Sequence, residues 1–204
     1  MSKIHLAIFV SLLLAAACGS PLRQVYGMRG YSLTAPDTVK HVAVLAWAPK
    51  DDPRLAELLA REASDVIKLR RDYLVHRVEA MPHSWADLCH LPEADGSAAL
   101  DLQGVIAVRL LDLTDEDDEV DMRLAMELYR CADGALLWRA DAQAEANPAD
   151  PSLKELVHTY VQSFGALAQR SAATAFVIIK ALVDALPNPV LTDDEVGQKI
   201  ELEG

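Results

Sequence analysis

The sequence predicts an α/β (α+β) fold with a mixed sheet: a β-α-β start, an antiparallel three-strand meander and a long C-terminal helix. Three observations predict it. An apolar run early in the chain precedes a segment of helical periodicity, a middle segment alternates apolar and polar residues, and a late segment returns to helical spacing. The order of these segments gives the order of the predicted elements.

The β-α-β start opens with a short apolar run, His41–Trp47, which is consistent with a strand buried on both faces. Asp52 is predicted to cap the following helix, with Pro53 at its first position. Apolar residues then recur at helical spacing, at Leu55, Leu58, Leu59, Ala63, Val66 and Ile67. Tyr73–Glu79 is the predicted second strand.

The meander is predicted from the middle of the chain, with its first strand over Leu102–Leu113. The second strand has the clearest pattern in the sequence, because apolar and polar residues alternate from Val120 to Tyr129. An Asp133-Gly134 turn follows, and Leu136–Ala140 returns as the third strand.

The long C-terminal helix is predicted to begin at Ser152, which would form a capping box with Glu155. Ala172–Val183 is apolar on nearly every face, so we expect it to be buried. Gly165 is expected to bend the helix or to split it, and Pro187 to stop it.

Four regions follow from these patterns: a lipoprotein signal peptide over 1–17, a flexible tether over 18–39, a single α/β domain over 40–187, and an acidic flexible tail over 188–204. Scattered prolines and glycines without an apolar period indicate the tether. Acidic composition after the helix-stopping prolines indicates the tail.

The N-terminus has the layout of a secretory signal: Lys3 gives a positive start, Leu6–Ala17 is apolar apart from one serine, and small residues precede Cys18. Leu14-Ala15-Ala16-Ala17-Cys18 resembles a lipobox, with its leucine one place earlier than usual. The alternatives are a plain signal peptide with a chance cysteine, or a short membrane anchor. The prediction is that Cys18 is lipidated and becomes the first residue of the mature protein.

Several palmitate-type chains would hold the mature protein firmly on its membrane, whereas one chain binds only reversibly. Gly19 follows the cysteine in place of aspartate. Its resemblance to enterobacterial sorting signals implies the cell outer membrane, with the domain on the periplasmic side.

The full sequence carries a net charge of −12, so the mature chain is expected to be acidic as well. That charge argues against nucleic acid, or an anionic lipid surface, as a broad partner. Apolar residues make up 51% of the chain, which is enough for a folded core.

Cys89 and Cys131 remain after Cys18 is used, and an even pair in an oxidising compartment is a disulfide candidate. A bridge would close a loop of about 40 residues and stabilise the fold by roughly 4 kcal/mol in the chain-entropy model. The alternative is two buried thiols that never meet.

Reactive constellations are not found in the sequence, which lacks a phosphate loop, a Gly-x-Ser-x-Gly elbow and a His-Glu-x-x-His motif. His83, Cys89 and His90 are spaced like no familiar zinc site. We therefore predict no catalytic residue, no metal and no cofactor.

Two clusters of acidic residues have simpler explanations than a metal site or a catalytic site. Asp115, Asp117 and Glu119 could hold calcium, but they lack the glycine and distal glutamate of a tight loop, so a solvated hairpin tip is expected. Glu62 and Asp65 lie three residues apart on the first helix, and we expect exposed ion pairing there.

The order of elements, the Asp133-Gly134 hairpin followed by Trp138, and the helix ending at Leu186-Pro187 resemble a small α/β domain of several periplasmic lipoproteins. These are the curli-secretion lipoprotein, the lipoprotein activators of penicillin-binding proteins and the N-terminal domain of the Tol-system β-propeller protein. The chain also resembles an uncharacterised lipoprotein family of gliding bacteria and spirochaetes. The resemblance covers 41–187 and implies a non-enzymatic envelope component.

Two functions therefore remain. The first is a lipid-anchored binding or assembly module that contacts another envelope protein through a sheet edge, a helix face or its acidic tail. The second is a cell-wall hydrolase or another periplasmic enzyme. The first is favoured, because it needs only a tether and an exposed surface, whereas the second needs converging reactive groups.

Overall fold

The computed structural model describes residues 22–27, 38–48, 52–76, 89, 102–116, 119–146 and 150–203. This part of the chain forms six strands and four helices. In chain order they are β1 Leu22–Gly27, β2 His41–Trp47, α1 Pro53–Arg70, β3 Leu74–His76, β4 Gly104–Glu116, β5 Glu119–Arg130, β6 Leu136–Ala146, α2 Lys154–Phe164, α3 Ala166–Ala185 and α4 Asp193–Glu203.

The strands form one mixed sheet in the order β1-β6-β5-β4-β2-β3. β2 runs parallel to β3 and to β4, as a β-α-β crossover requires. β4, β5 and β6 pair antiparallel in sequence order, and β1 adds antiparallel to β6. The predicted fold class, with its β-α-β start and three-strand meander, is confirmed.

The core lies between the helices and one face of the sheet. On β5, alternate residues enter this core with no exposed surface, namely Met122, Leu124, Met126 and Leu128. α1 begins as predicted, because the Asp52 side chain accepts hydrogen bonds from the backbone N–H of Arg54 and Leu55, with Pro53 in the first turn. The α1 residues predicted from helical spacing are buried.

α3 is the central helix of this core. It is long and apolar enough to cross a membrane by length and composition. In the structure, however, ten of its residues are buried, among them Ile178, Ile179, Leu182 and Val183, which belong to the same core as the sheet. Its apolar composition is therefore explained by packing.

The C-terminal helical region is split at Gly165, one of the two outcomes expected there. Gly165 has a φ of 61°, a left-handed value that favours glycine, and it separates α2 from α3. The predicted capping box is wrong. α2 begins at Lys154, and the backbone N–H and hydroxyl of Ser152 both donate to Asp150.

Two segments predicted to be flexible contain regular structure. β1 lies inside the predicted tether and pairs with β6 from Leu22 to Gly27. α4 lies inside the predicted tail, where Glu195 binds Lys40 and the Lys199 ammonium donates to the backbone oxygen of Arg71 at 2.6 Å. Neither segment has an apolar period in its sequence. Both are held instead by contacts with distant parts of the chain, which a local pattern does not show.

Candidate functional site

The two faces of the sheet differ in chemistry. One face is covered by helices and is apolar. On the other, which we call the outer face, β4, β5 and β6 present Arg109, Arg123, Glu127, Arg139 and Asp141. Side chains alternate across a strand, so the residues between the core positions of β5 point to the outer face.

Glu127 lies at the centre of the outer face and has three partners. Its carboxylate is 2.9 Å from Arg109 Nε and 3.1 Å from Arg139 Nη1. The Tyr129 hydroxyl donates to it at 2.8 Å. One guanidinium comes from the strand on each side, so Glu127 ties β4, β5 and β6 together.

A second pair continues the same pattern. Arg123 on β5 donates to Asp141 on β6 from Nε at 3.2 Å and from Nη2 at 2.7 Å. Beside it, Gln143 donates to Asp121 at 2.8 Å and accepts from Arg23 of β1 at 3.4 Å. In the register, Arg123 lies opposite Gln143 and Asp121 opposite Glu145, so these cross-strand contacts run diagonally.

Burial is divided unequally within these pairs. The Glu127 and Asp141 side chains are only 3% and 4% exposed, whereas Arg109, Arg123 and Arg139 are 52%, 44% and 44% exposed. Each carboxylate is paired with at least one guanidinium whose side chain still reaches solvent. The outer face therefore presents three arginines whose positions are set by ion pairs with the buried Glu127 and Asp141.

This arrangement suits recognition better than proton transfer. Burial, followed by the hydrogen bond to Glu127, raises the pKa of Tyr129, so its hydroxyl stays a hydrogen-bond donor. The two buried carboxylates are each paired with a neighbouring guanidinium, so their oxygens are already engaged within the face. Fixed, complementary charges give a docking surface its specificity.

The disulfide lies at the edge of the outer face. The predicted bridge between Cys89 and Cys131 is present, with a Cα–Cα distance of 5.4 Å and a sequence separation of 42. Cys89 is buried against Leu45 and Val105, the outer-face residues of β2 and β4. The bridge thus attaches Cys89 to the sheet at the turn between β5 and β6, where Cys131 lies.

Glu62 and Asp65 differ from the expected exposed ion pair. Glu62 is fully buried, and neither carboxyl oxygen has a hydrogen-bond partner within the described residues. Burial, and then the charge of Asp65, raise the pKa of Glu62 well above its ordinary value. The Tyr160 hydroxyl donates to Asp65 at 2.9 Å, and Arg61 instead donates to Ser163 at 3.3 Å.

A signal for the burial of Glu62 was present in the sequence. Glu62 stands four residues after Leu58 and four before Val66, and so falls on the apolar stripe of α1. The prediction from charge spacing was wrong because position on the stripe, and not residue type, decides which face of a helix is covered.

Most of the remaining candidate site residues lie outside the part of the chain that the structure describes. Cys18, His83, His90 and Asp117 lie outside the described residues, and Asp115 is ion-paired with Arg170. Within the described ranges, no group of three or more His, Cys, Asp or Glu side chains is placed to hold a metal ion.

Comparison with known proteins gives a fold and no family. No protein-family model matches the chain, and no curated protein does so either. Among solved structures, the PelC dodecamer from Paraburkholderia phytofirmans is similar with 15% identity and a TM-score of 0.51, covering 81% of this chain and 98% of that one. The chain therefore shares the fold of that structure.

Two further solved structures are similar at lower scores. The hypothetical protein CT253 from Chlamydia trachomatis has 12% identity and a TM-score of 0.47, covering 72% of this chain and 95% of that one. The lipoprotein GNA1162 from Neisseria meningitidis has 15% identity and a TM-score of 0.38, covering 61% of this chain and 94% of that one.

Proposed function

We propose that this chain is a lipoprotein of the bacterial outer membrane, anchored at Cys18 with its domain on the periplasmic side, and that it is a non-enzymatic binding or assembly module. The observation that carries the proposal is the apolar signal running into Ala15-Ala16-Ala17-Cys18. The Cys89–Cys131 bridge supports it, because disulfides persist in oxidising compartments such as the periplasm.

The partner in this proposal is another envelope protein or a second copy of this chain, bound through the outer face. Support comes from the three half-exposed arginines, since arginine is enriched where protein interfaces carry their binding energy. The PelC structure that shares this fold is described as a dodecamer. That description makes self-association the first state to measure.

The enzyme alternative has less support. A cell-wall hydrolase needs acid and base groups that reach a substrate. Among the described residues, the buried carboxylates Glu127 and Asp141 of the outer face are paired with arginines, and Glu62 is shut off from solvent.

The anchor is tested by Cys18→Ser. We expect this variant to accumulate as uncut precursor or to be released from membranes, because serine has no thiol to carry the lipid. Fractionation and intact mass would measure it. Normal processing with full membrane retention would contradict the lipoprotein assignment.

The outer face is tested by Arg109→Ala, with Arg54→Ala as the matched control on the helical side. We expect in-cell crosslinking, to itself or to an envelope protein, to fall about tenfold, which corresponds to about 1.4 kcal/mol of binding free energy. Arg139 still pairs Glu127 in this variant, so the fold is retained. Equal loss in both variants would contradict the outer face as the contact surface.

A further inference from the structure

β1 leaves very little chain between the lipid and the folded sheet. The strand begins at Leu22, four residues after Cys18. Four residues span at most about 14 Å when fully extended. β1 thus lies within the flexible tether predicted over 18–39, and the sheet must lie close to the lipid that Cys18 would carry.

The direction of β1 shows which end of the sheet lies close. Leu22 pairs with Ala142 and Gly27 with Trp138, so the chain enters β1 from the side where β6 ends. At that end of the sheet, Ala146 of β6 pairs with Val120 of β5, and Val120 pairs with Asp115 of β4. We call this end of the sheet, from Leu22 to the β4–β5 hairpin, the anchor corner.

We propose that the anchor corner faces the lipid headgroups of the membrane, and that the opposite corner, formed by the end of α1, β3 and α4, points away from it. This inference rests on the proposed lipidation of Cys18. It adds an orientation: the anchor and β1 together fix which surface meets the membrane and which stays open to partners.

Charge keeps the rest of the domain from lying flat on the lipid. Acidic residues outnumber Lys and Arg in the full sequence, which carries a net charge of −12, and they include Asp115, Asp121 and Glu145 near the anchor corner. Asp115 is ion-paired with Arg170, and Asp121 accepts a hydrogen bond from Gln143. An anionic membrane acts on each nearby charge with about 1 kcal/mol, falling off within a Debye length of about 8 Å at physiological salt. The lipid holds the corner near the surface, and repulsion holds the domain upright.

The opposite corner is chemically different. Leu69, at the end of α1, is 85% exposed, and Ile200 on α4 is 68% exposed. The sheet separates this side from β1 by five strand spacings, a width of about 24 Å. Upright orientation therefore carries these apolar side chains away from the membrane and into the periplasm.

The test measures distances from the membrane in the full-length lipidated protein. Thr114→Cys places a fluorophore at the anchor corner, and Leu69→Cys places one at the opposite corner; both positions are exposed, and the native pair is already bridged. In vesicles of phosphatidylethanolamine and phosphatidylglycerol with acceptor-labelled headgroups, energy transfer gives each label's closest approach. We expect the Thr114 label to lie closer by about 20 Å, roughly the width of the sheet. Equal distances, or a closer Leu69 label, would overturn the inference.

A spacer variant is the matched control. A flexible Gly-Ser spacer between Ser20 and Pro21 should abolish most of the distance difference without releasing the protein, and an unchanged difference would also count against the inference. Flotation of the vesicles reports the anchor independently. Protein that floats with equal label distances overturns only the orientation, whereas protein that fails to float overturns the proposed lipidation and the orientation with it.

Discussion

Glu127 on the outer face and Glu62 under the helices are both buried carboxylates, yet their surroundings differ completely. Glu127 is bound by Arg109, Arg139 and Tyr129, whereas neither oxygen of Glu62 has a partner within the described residues. A paired buried charge depends on its partners, and an unpaired buried acid is tolerated only by taking up a proton. The outer face therefore supplies partners to its buried carboxylate, whereas the helical layer supplies none to Glu62 within the described residues.

The largest effect is expected from the disulfide beside the outer face. Replacing both Cys89 and Cys131 by Ala should lower the free energy of unfolding by about 4 kcal/mol, since the bridge removes chain entropy from the unfolded state. Urea unfolding of the non-lipidated Cys18→Ser chain would measure this loss. A loss below about 1 kcal/mol would show that the outer face holds together without the bridge.

A smaller loss is expected when Glu127 loses both cations. Arg109→Ala combined with Arg139→Ala should cost about 2 to 3 kcal/mol, because the carboxylate keeps only its Tyr129 hydrogen bond. Adding Glu127→Leu should recover most of that stability, as measured by urea unfolding. If the triple variant is no more stable than the double, the contacts of the arginine stems, and not charge pairing, hold this face together.

The smallest effect, and the opposite sign, is expected at Glu62. Glu62→Leu should raise the free energy of unfolding at pH 7.5 by about 1 to 3 kcal/mol, because a buried polar group without partners is removed. Glu62→Gln is the control, since it removes the charge but keeps polar atoms that need partners. A loss of stability in Glu62→Leu would mean that the carboxylate has a favourable contact at this site.

The same site predicts a pH dependence. Burial raises the pKa of Glu62, so the folded state holds a proton at pH values where the unfolded chain has released it. The stability linked to the protonated carboxyl is present below the ordinary value of 4.5 and is lost as pH rises through the raised pKa. The advantage of Glu62→Leu over the unmodified chain should therefore grow from pH 4.5 upward, and an advantage that stays constant with pH would contradict a raised pKa.

The fold could be predicted from the sequence where local patterns are strong. It could not be predicted where contacts between distant residues determine the structure. The alternation of β5 and the Asp52-Pro53 start of α1 are local, and both were predicted. β1 and α4 have no comparable period. β1 is held at the sheet edge by the backbone of β6. α4 is held by the ion pair between its Glu195 and Lys40, and by its Lys199, which donates to the backbone oxygen of Arg71. The outer face was missed for a related reason: alternating polar residues on β5 indicate a polar face, but only the register shows that Arg139 lies opposite Glu127.

The pairing of β1 also has a consequence for the order in which the protein assembles. Arg23 of β1 bonds to Gln143 of β6, 120 residues later in the chain. A strand cannot pair with a partner that has not yet crossed the membrane, and closing so long a loop costs entropy that only late contacts repay. The first strand to emerge is thus among the last to be fixed. In the proposed lipoprotein, late pairing of β1 would leave Cys18 accessible during export to the enzymes that attach lipid and cleave the signal, and the domain would close against its anchor afterwards.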